Sequence, residues 1–216
     1  MGINSRPALA LRPRPFLGTF EPMTKIAFFL SGTGGNALNL LKACREGRVP
    51  GEPVLGICSN PKALGIPRLQ AEGLPMTALS RADFASDDSY TEACLEQVEA
   101  AGGTVICLCG WLKKLVVPAR WEGRILNIHP GLLPEYGGPG MYGMHVHRAV
   151  LAAGAKESGC TIHIVDNVYD HGRHLAEARV PVLPGDSPET LQQRIYEQEM
   201  RLYPLALADY LKAFPS

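Results

Sequence analysis

Lys25-Ile-Ala-Phe-Phe-Leu30, Ser31-Gly-Thr-Gly-Gly35 and Asn36-Ala-Leu-Asn-Leu-Leu-Lys-Ala-Cys-Arg45 follow one another without interruption. The first segment is a short, unbroken apolar run, the pattern of a strand covered on both faces. The second is a glycine-rich turn. The third has helical spacing, with Leu38, Leu41 and Cys44 on one side. A buried strand feeding an amphipathic helix through a tight turn is half of a βαβ unit, and it predicts an α/β fold with a parallel sheet.

The same alternation continues downstream. Val54 to Cys58 reads as a strand, residues 66–72 as a helix and Met76 to Leu79 as a short strand. Ser89 to Ala101 is helical and stops at Gly102-Gly103. Thr104 to Cys109 is a fourth strand and Leu126 ends a fifth. A helix is predicted from Met144 to Ala153. Cys160 to Val165 and Leu175 to Val182 form an antiparallel extension, and Ser187 to Leu211 a closing helix that Pro204 kinks or divides. The expected architecture is three layers around a mostly parallel, twisted sheet, with antiparallel strands at its C-terminal side.

At 216 residues the chain has room for one domain with a sizeable core. Residues 1–22, with Pro7, Pro13, Pro15 and Pro22, show no periodicity and are expected to be a disordered extension before a domain spanning 23–216. Lys and Arg number 21, as do Asp and Glu, so the formal charge is zero. That argues against a nucleic-acid or membrane surface. Six scattered cysteines, several inside apolar runs, suit buried thiols in a reducing, cytoplasmic setting. Cys107 and Cys109 lack a second thiol pair at metal-site spacing, and His145-Val-His147 lacks both helical ligand spacing and nearby carboxylates. No metal is expected.

The glycine turn supplies a place for an anion. Free amides and the helix dipole favour negative charge there. Gly32-x-Gly34-x-x-Ala37 also fits a relaxed dinucleotide fingerprint, but the second strand ends Cys58-Ser59-Asn60 and lacks the acidic residue that binds a ribose. A phosphate monoester is therefore favoured over a dinucleotide. A second concentration of unusual residues lies between Ile128 and Gly143, where glycines 137, 138, 140 and 143 sit with three prolines. Irregular segments of that length are uncommon unless functional. At its start, Asn127 and His129 are two residues apart and share a face in extended chain. An amide donor beside an imidazole can stabilise an oxyanion and move a proton. By residues alone Trp111 is open between core packing and walling a flat heterocycle. His163 is open between a core histidine and a support for the site.

Asn127-Ile-His129-Pro130-Gly131-Leu132-Leu133-Pro134 resembles the signature of the folate-dependent formyltransferases. With Ser31-Gly-Thr-Gly-Gly-Asn36 before it and His163-x-Val165-(x)4-Asp170-x-Gly172 after it, the chain is similar to the members that act on glycinamide ribonucleotide (GAR) in purine biosynthesis. Tyr136-Gly-Gly138 and His145-x-His147 narrow the resemblance to them. It implies 10-formyltetrahydrofolate as formyl donor, GAR as acceptor, no metal, and a monomer or homodimer. It also implies that Asn127 donates to the oxyanion, that His129 is the general acid, and that Asp170 raises the imidazole pKa. Gly34, Gly35 and Asn36 would hold the phosphate and Glu199 the ribose. Trp111, Leu112, Lys113 and Leu115 would face the pterin on one side, and Asp166, Asn167 and Tyr169 on the other. His145 is expected on the substrate side. Two places depart from the family pattern. The run Arg173-His174-Leu175-Ala176-Glu177 follows the Asp170 loop, and Asp87-Asp88 stand where some relatives present a basic residue to the folate tail, leaving that contact to Lys113 or Lys114. Alternatives within reach of the same residues are a formyltetrahydrofolate hydrolase, an amino-sugar formyltransferase and a non-catalytic nucleotide-binding module.

Overall fold

The computed structural model describes residues 23–214, so the expected extension over residues 1–22 lies outside the described residues. Strands β1 (Thr24–Leu30), β2 (Gly51–Cys58), β3 (Met76–Ala78), β4 (Val105–Leu108) and β5 (Ile125–His129) are mutually parallel; β6 (Glu157–Ile164) runs antiparallel to β5, and β7 (His174–Pro181) antiparallel to β6. The sheet order is β3-β2-β1-β4-β5-β6-β7. Strand order reverses between β1 and β4, which is where open α/β sheets leave a crevice at the carboxyl ends of their strands.

The layers follow from the two-residue period of a strand. Ile26, Phe28 and Leu30 join one core with residues of α1 (Gly35–Arg45), α4 (Met144–Ala152) and α5 (Pro188–Ala213). Ala27 and Phe29 join a second core with Tyr90, Cys94, Leu95 and Val98 of α3 (Asp87–Ala100). Each of those five β1 side chains is fully buried, as an apolar run covered on both faces requires. The short α2 (Gly65–Ala71) brings Leu69 to the first core.

Several boundaries differ from the expected ones, each for a local reason. The buried stripe of α1 is Ala37, Leu40, Leu41 and Ala43, with Leu38 and Cys44 only half-buried, so the helix is rotated relative to the leucine-based reading. Helix α3 starts two residues early because Ser86 caps it reciprocally with Ser89. Strand β5 does not end at Leu126. Pairing with β6 carries it through His129, with Asn127 opposite His163 and His129 opposite Thr161. Pro204 does not divide α5, which is continuous over 26 residues. The carbonyl that a Pro204 amide would have bonded belongs to Met200, and it accepts a hydrogen bond from Asn39 Nδ2 at 2.7 Å.

Candidate active site

The carboxyl ends of β1, β4 and β5 open into a cleft of about 620 Å³. Its walls come from six segments: Asn36 of α1; the Gly110–Leu115 turn after β4; Asn127, Ile128 and His129 of β5; the 138–143 loop with α4; the 165–170 loop after β6; and Gln192, Gln193, Tyr196 and Glu199 of α5. Tyr203 fastens α5 to the sheet at this edge by donating its hydroxyl to the carbonyls of Leu108 and Leu126, both at 3.2 Å.

Asn127, His129, His163 and Asp170 meet in the centre. The antiparallel register sets Asn127 beside His163, and Asn127 Nδ2 lies 3.1 Å from His163 Nε2. His163 Nδ1 is 3.0 Å from the carbonyl of Ile164, an acceptor, so Nδ1 carries a proton. In the neutral ring Nε2 is then bare and accepts from Asn127. One amide proton of Asn127 is thereby fixed, and the other is free for the cleft. The open reading of His163 therefore resolves to a support: a buried ring that orients Asn127.

His129 is 3% exposed, and its Nε2–H donates to the carbonyl of Tyr136 at 2.7 Å. That leaves Nδ1 facing Asp170 Oδ1 at 3.6 Å, too long for a direct hydrogen bond and short enough for a strong charge interaction once the ring is protonated. The same Oδ1 is 3.6 Å from His163 Nε2, and the amide of Gly138 donates to Asp170 Oδ2 at 3.0 Å. Burial disfavours ionisation of Asp170, yet His163 and His129 in their protonated forms, with the Gly138 amide, hold its carboxyl below the usual value. For His129 burial is the larger influence and lowers its pKa, against the pull of Asp170 and the Tyr136 carbonyl. Asp170 pulls the imidazole pKa upward, and desolvation outweighs that pull. The lowered pKa disposes the ring to be neutral, with Nδ1 directed at Asp170. Buried Thr161 shapes the chain after His129 by donating to Gly131 O at 2.8 Å and accepting from Leu133 N at 3.2 Å.

Gly34, Gly35 and Asn36 form the entry to α1. Gly34 has φ of 73° and is packed so that a methyl group would stand 3.2 Å from Gly65 Cα; a side chain there would be both strained and crowded. The first amides of α1 lack carbonyls one turn back, and α1 carries no side-chain cap. A Cβ on Gly35 would lie 2.2 Å from the Tyr196 hydroxyl, so glycine is what lets that hydroxyl stand at the helix N-terminus. Arg68 comes to the same turn and donates from Nη1 to Thr33 O at 2.7 Å. Behind the turn, Glu199 is 8% exposed, its pKa raised by burial, and it holds one side-chain partner, Asn36 Nδ2 at 2.9 Å. Asn36 Oδ1 is buried without a partner. A carboxylate this enclosed favours ligands that bring hydroxyl donors.

On the opposite side Trp111 lies flat against Tyr90, with centroids 6.0 Å apart, and tilts on Phe29 at 5.0 Å. Trp111 and Leu115 are buried, whereas Leu112, Lys113 and Lys114 are exposed at the rim. Trp111 therefore serves as core and as wall together, with its Nε1 lacking a partner. Asp166 accepts from the Val168 amide at 2.8 Å and pairs with His171 at 3.0 Å. Asn167 is bound on both its amide atoms to the backbone of Val117, at 2.8 and 3.0 Å, so what it offers a ligand is main chain. Val168 and Tyr169 are exposed beside it. Among the described residues no cluster of three or more His, Cys, Asp or Glu could hold a metal, and no helix is long and apolar enough to cross a membrane.

One expectation fell on the wrong residue. His145 is exposed and His147 is the buried ring that lines the cleft, because residues two apart on a helix point about 200° apart and only one can face inward. His147 was read only as part of the His145-x-His147 motif, without a place in the cleft, and Tyr196 was not singled out from sequence. The His-x-His spacing was the available signal for the first, and for the second only the helical register with Glu199 three residues on.

Comparison with known proteins agrees with this geometry. The family model described as Formyl transferase matches residues 24–207. The trifunctional purine biosynthetic protein adenosine-3 of Drosophila melanogaster is 40% identical over 188 residues, covering 85% of this chain and 14% of the fly protein. This chain therefore spans about one seventh of such relatives. A phosphoribosylglycinamide formyltransferase of Haemophilus influenzae is 33% identical, with 86% of each chain covered. Among solved structures, glycinamide ribonucleotide transformylase 1 from Symbiobacterium toebii superposes with a TM-score of 0.83 at 35% identity, covering 88% of this chain and 89% of that one. Phosphoribosylglycinamide formyltransferase from Brucella melitensis gives 0.80 at 38% identity, covering 90% and 98%. From its matched span, its sheet order and these relatives, the chain belongs to the formyl transferase family.

Proposed function

We propose that the protein transfers the formyl group of 10-formyltetrahydrofolate to the amine of GAR, giving formyl-GAR for purine biosynthesis. The observation that carries this reading is the convergence of Asn127, His129 and Asp170 between an anion-accepting helix terminus and an apolar slot. Gly34, Gly35 and Asn36 receive the phosphate through main-chain amides, with Arg68 and Tyr196 alongside. Glu199 accepts from the ribose hydroxyls. The pterin lies against Trp111, Leu112 and Leu115 and the main chain of Asp166, Asn167 and Tyr169, with Lys113 near its acidic tail.

The amine attacks the formyl carbon, and the carbonyl oxygen gains charge. The free amide proton of Asn127 meets that oxyanion. As the attacking nitrogen becomes cationic it releases a proton toward Nδ1 of His129, and Asp170 stabilises the imidazolium that forms. The charged ring then adds to oxyanion stabilisation and returns the proton to the departing folate nitrogen. Six free cysteines, five of them buried, support a reducing cytoplasmic setting, and both substrates are small molecules taken up by a single chain.

Purified protein mixed with a 10-formyl folate, with and without GAR, tests the proposal. Deformylated folate should appear only when GAR is present. Release without an acceptor would indicate a hydrolase, and release with an amino sugar in place of GAR would move the acceptor assignment.

A further inference from the structure

His147 has no part in the chemistry above, and its surroundings are unusual. It lies early in α4, next to Val146, and both Val146 and the His129 ring close on Gly131, where a methyl would meet them at 2.8 and 3.0 Å. The His147 side chain is 1% exposed and lines the cleft. Its Nδ1 is buried with no partner among the described residues. Buried polar atoms are nearly always hydrogen-bonded, and an apolar residue of similar size would fill this place without leaving one bare. Burial, with His129 nearby, pushes the imidazole down to about 4, so the ring is neutral at neutral pH and presents one donor and one acceptor.

The position selects the partner. Helix α4 packs against α5, which carries Tyr196 and Glu199, and both join one core, whereas Trp111 and Leu115 of the slot proposed for the pterin belong to the core on the opposite face of the sheet. A group bound by His147 is therefore on the nucleotide side, adjacent to His129. In GAR the chemistry found between ribose and reacting amine is a secondary amide, itself one donor and one acceptor. We propose that His147 binds the amide of the glycinamide arm and orients its amine toward the formyl carbon. The inference rests on the GAR reading above. A neutral ring suits this task, because a second imidazolium would oppose protonation of His129 and repel an ammonium on the incoming substrate.

Steady-state kinetics of His147→Leu and His147→Asn, with thermal unfolding of both, test it. The leucine variant should lose at least about tenfold in kcat/KM for GAR while its KM for the formyl folate stays within about twofold. Its unfolding temperature should equal or exceed that of the parent, since the orphaned polar atom is gone. Asparagine, which restores a donor and an acceptor close to the ring Nδ1, should recover part of the GAR dependence. A leucine variant within about twofold of the parent for GAR overturns the inference. So does a lowered unfolding temperature with equal losses for both substrates, which is the mark of a packing role. Failure of the GAR reading itself would be visible earlier, as absence of GAR-dependent turnover in the parent protein, and would overturn both.

Discussion

Asp170 holds its carboxylate on a backbone with φ of 54°, a left-handed conformation uncommon for residues other than glycine, asparagine and aspartate. Strain of this kind persists where surrounding contacts over-determine it, and here the Gly138 amide and two imidazoles do so. Asparagine tolerates the same backbone and keeps the shape while removing the charge. Asp170→Asn should therefore lower kcat by roughly 10²–10⁴-fold and change unfolding free energy by no more than about 1 kcal/mol. Near-normal kcat in purified, folded protein would remove Asp170 from proton handling. The buried histidines also fix the sign of the acid response. His147, with a pKa of about 4 in the fold against 6.5 for the ordinary group, binds fewer protons folded than unfolded across that interval. Stability consequently falls as pH drops from about 6.5 toward 4, by at most about 3 kcal/mol from this residue. His129 is shifted in the same direction. Asp170, held below its ordinary 3.8, adds stability that is lost only at still lower pH. Urea unfolding at several pH values should show the first decline, and His147→Leu should flatten it; an unchanged slope would mean that the ring is protonated without cost.

Elements show which features could be read in advance. The β1-turn-α1 unit was legible because strand periodicity and glycine spacing are local signals, and Asn127, His129 and Asp170 because they fall in recognisable motifs. The extent of β5 was not legible, since it depends on pairing with β6 some 35 residues later, and that same register is what brings His163 to Asn127. Nor was the continuity of α5. A proline within a helix leaves one carbonyl free, and whether the helix survives depends on what satisfies it. Here Asn39 does, from 161 residues away in sequence, just as Asn36 reaches Glu199 across 163. The pair implies that α1 and α5 are stapled through the gap that Pro204 creates. Asn39→Ala should cost about 1–2 kcal/mol in denaturant unfolding by leaving the Met200 carbonyl bare, and Asn39→Asp should cost at least as much because it offers an acceptor to an acceptor. A neutral Asn39→Ala would show that water replaces the amide and that the staple is dispensable.

At the scale of the molecule the cleft divides a neutral protein into two sides of differing chemistry. The helix-terminus side presents Asn36, Tyr196 and the buried Glu199 carboxylate, with Arg68 bonded to the turn before α1, groups whose effect depends on close geometry. The slot side presents apolar walls and, at its mouth, Lys113 and Lys114, both exposed. With 21 basic and 21 acidic residues overall, the chain has no long-range excess of charge to attract an acidic ligand, so any attraction for the acidic tail of the proposed folate donor must be local. Exposed charge interactions are individually weak and screened by salt within about 8–10 Å at ordinary ionic strength. The double substitution Lys113→Gln with Lys114→Gln should accordingly raise KM about three- to tenfold for a donor with several tail carboxylates, and less for one with a single glutamate. KM for GAR should not move. Repeating the measurement at about 0.5 M salt should shrink the difference between parent and variant, because screening already weakens in the parent what the substitution removes. A difference that persists in high salt would assign the loss to packing of the lysine stems against the slot, and equal KM values for both donors at low salt would exclude the two lysines from tail binding.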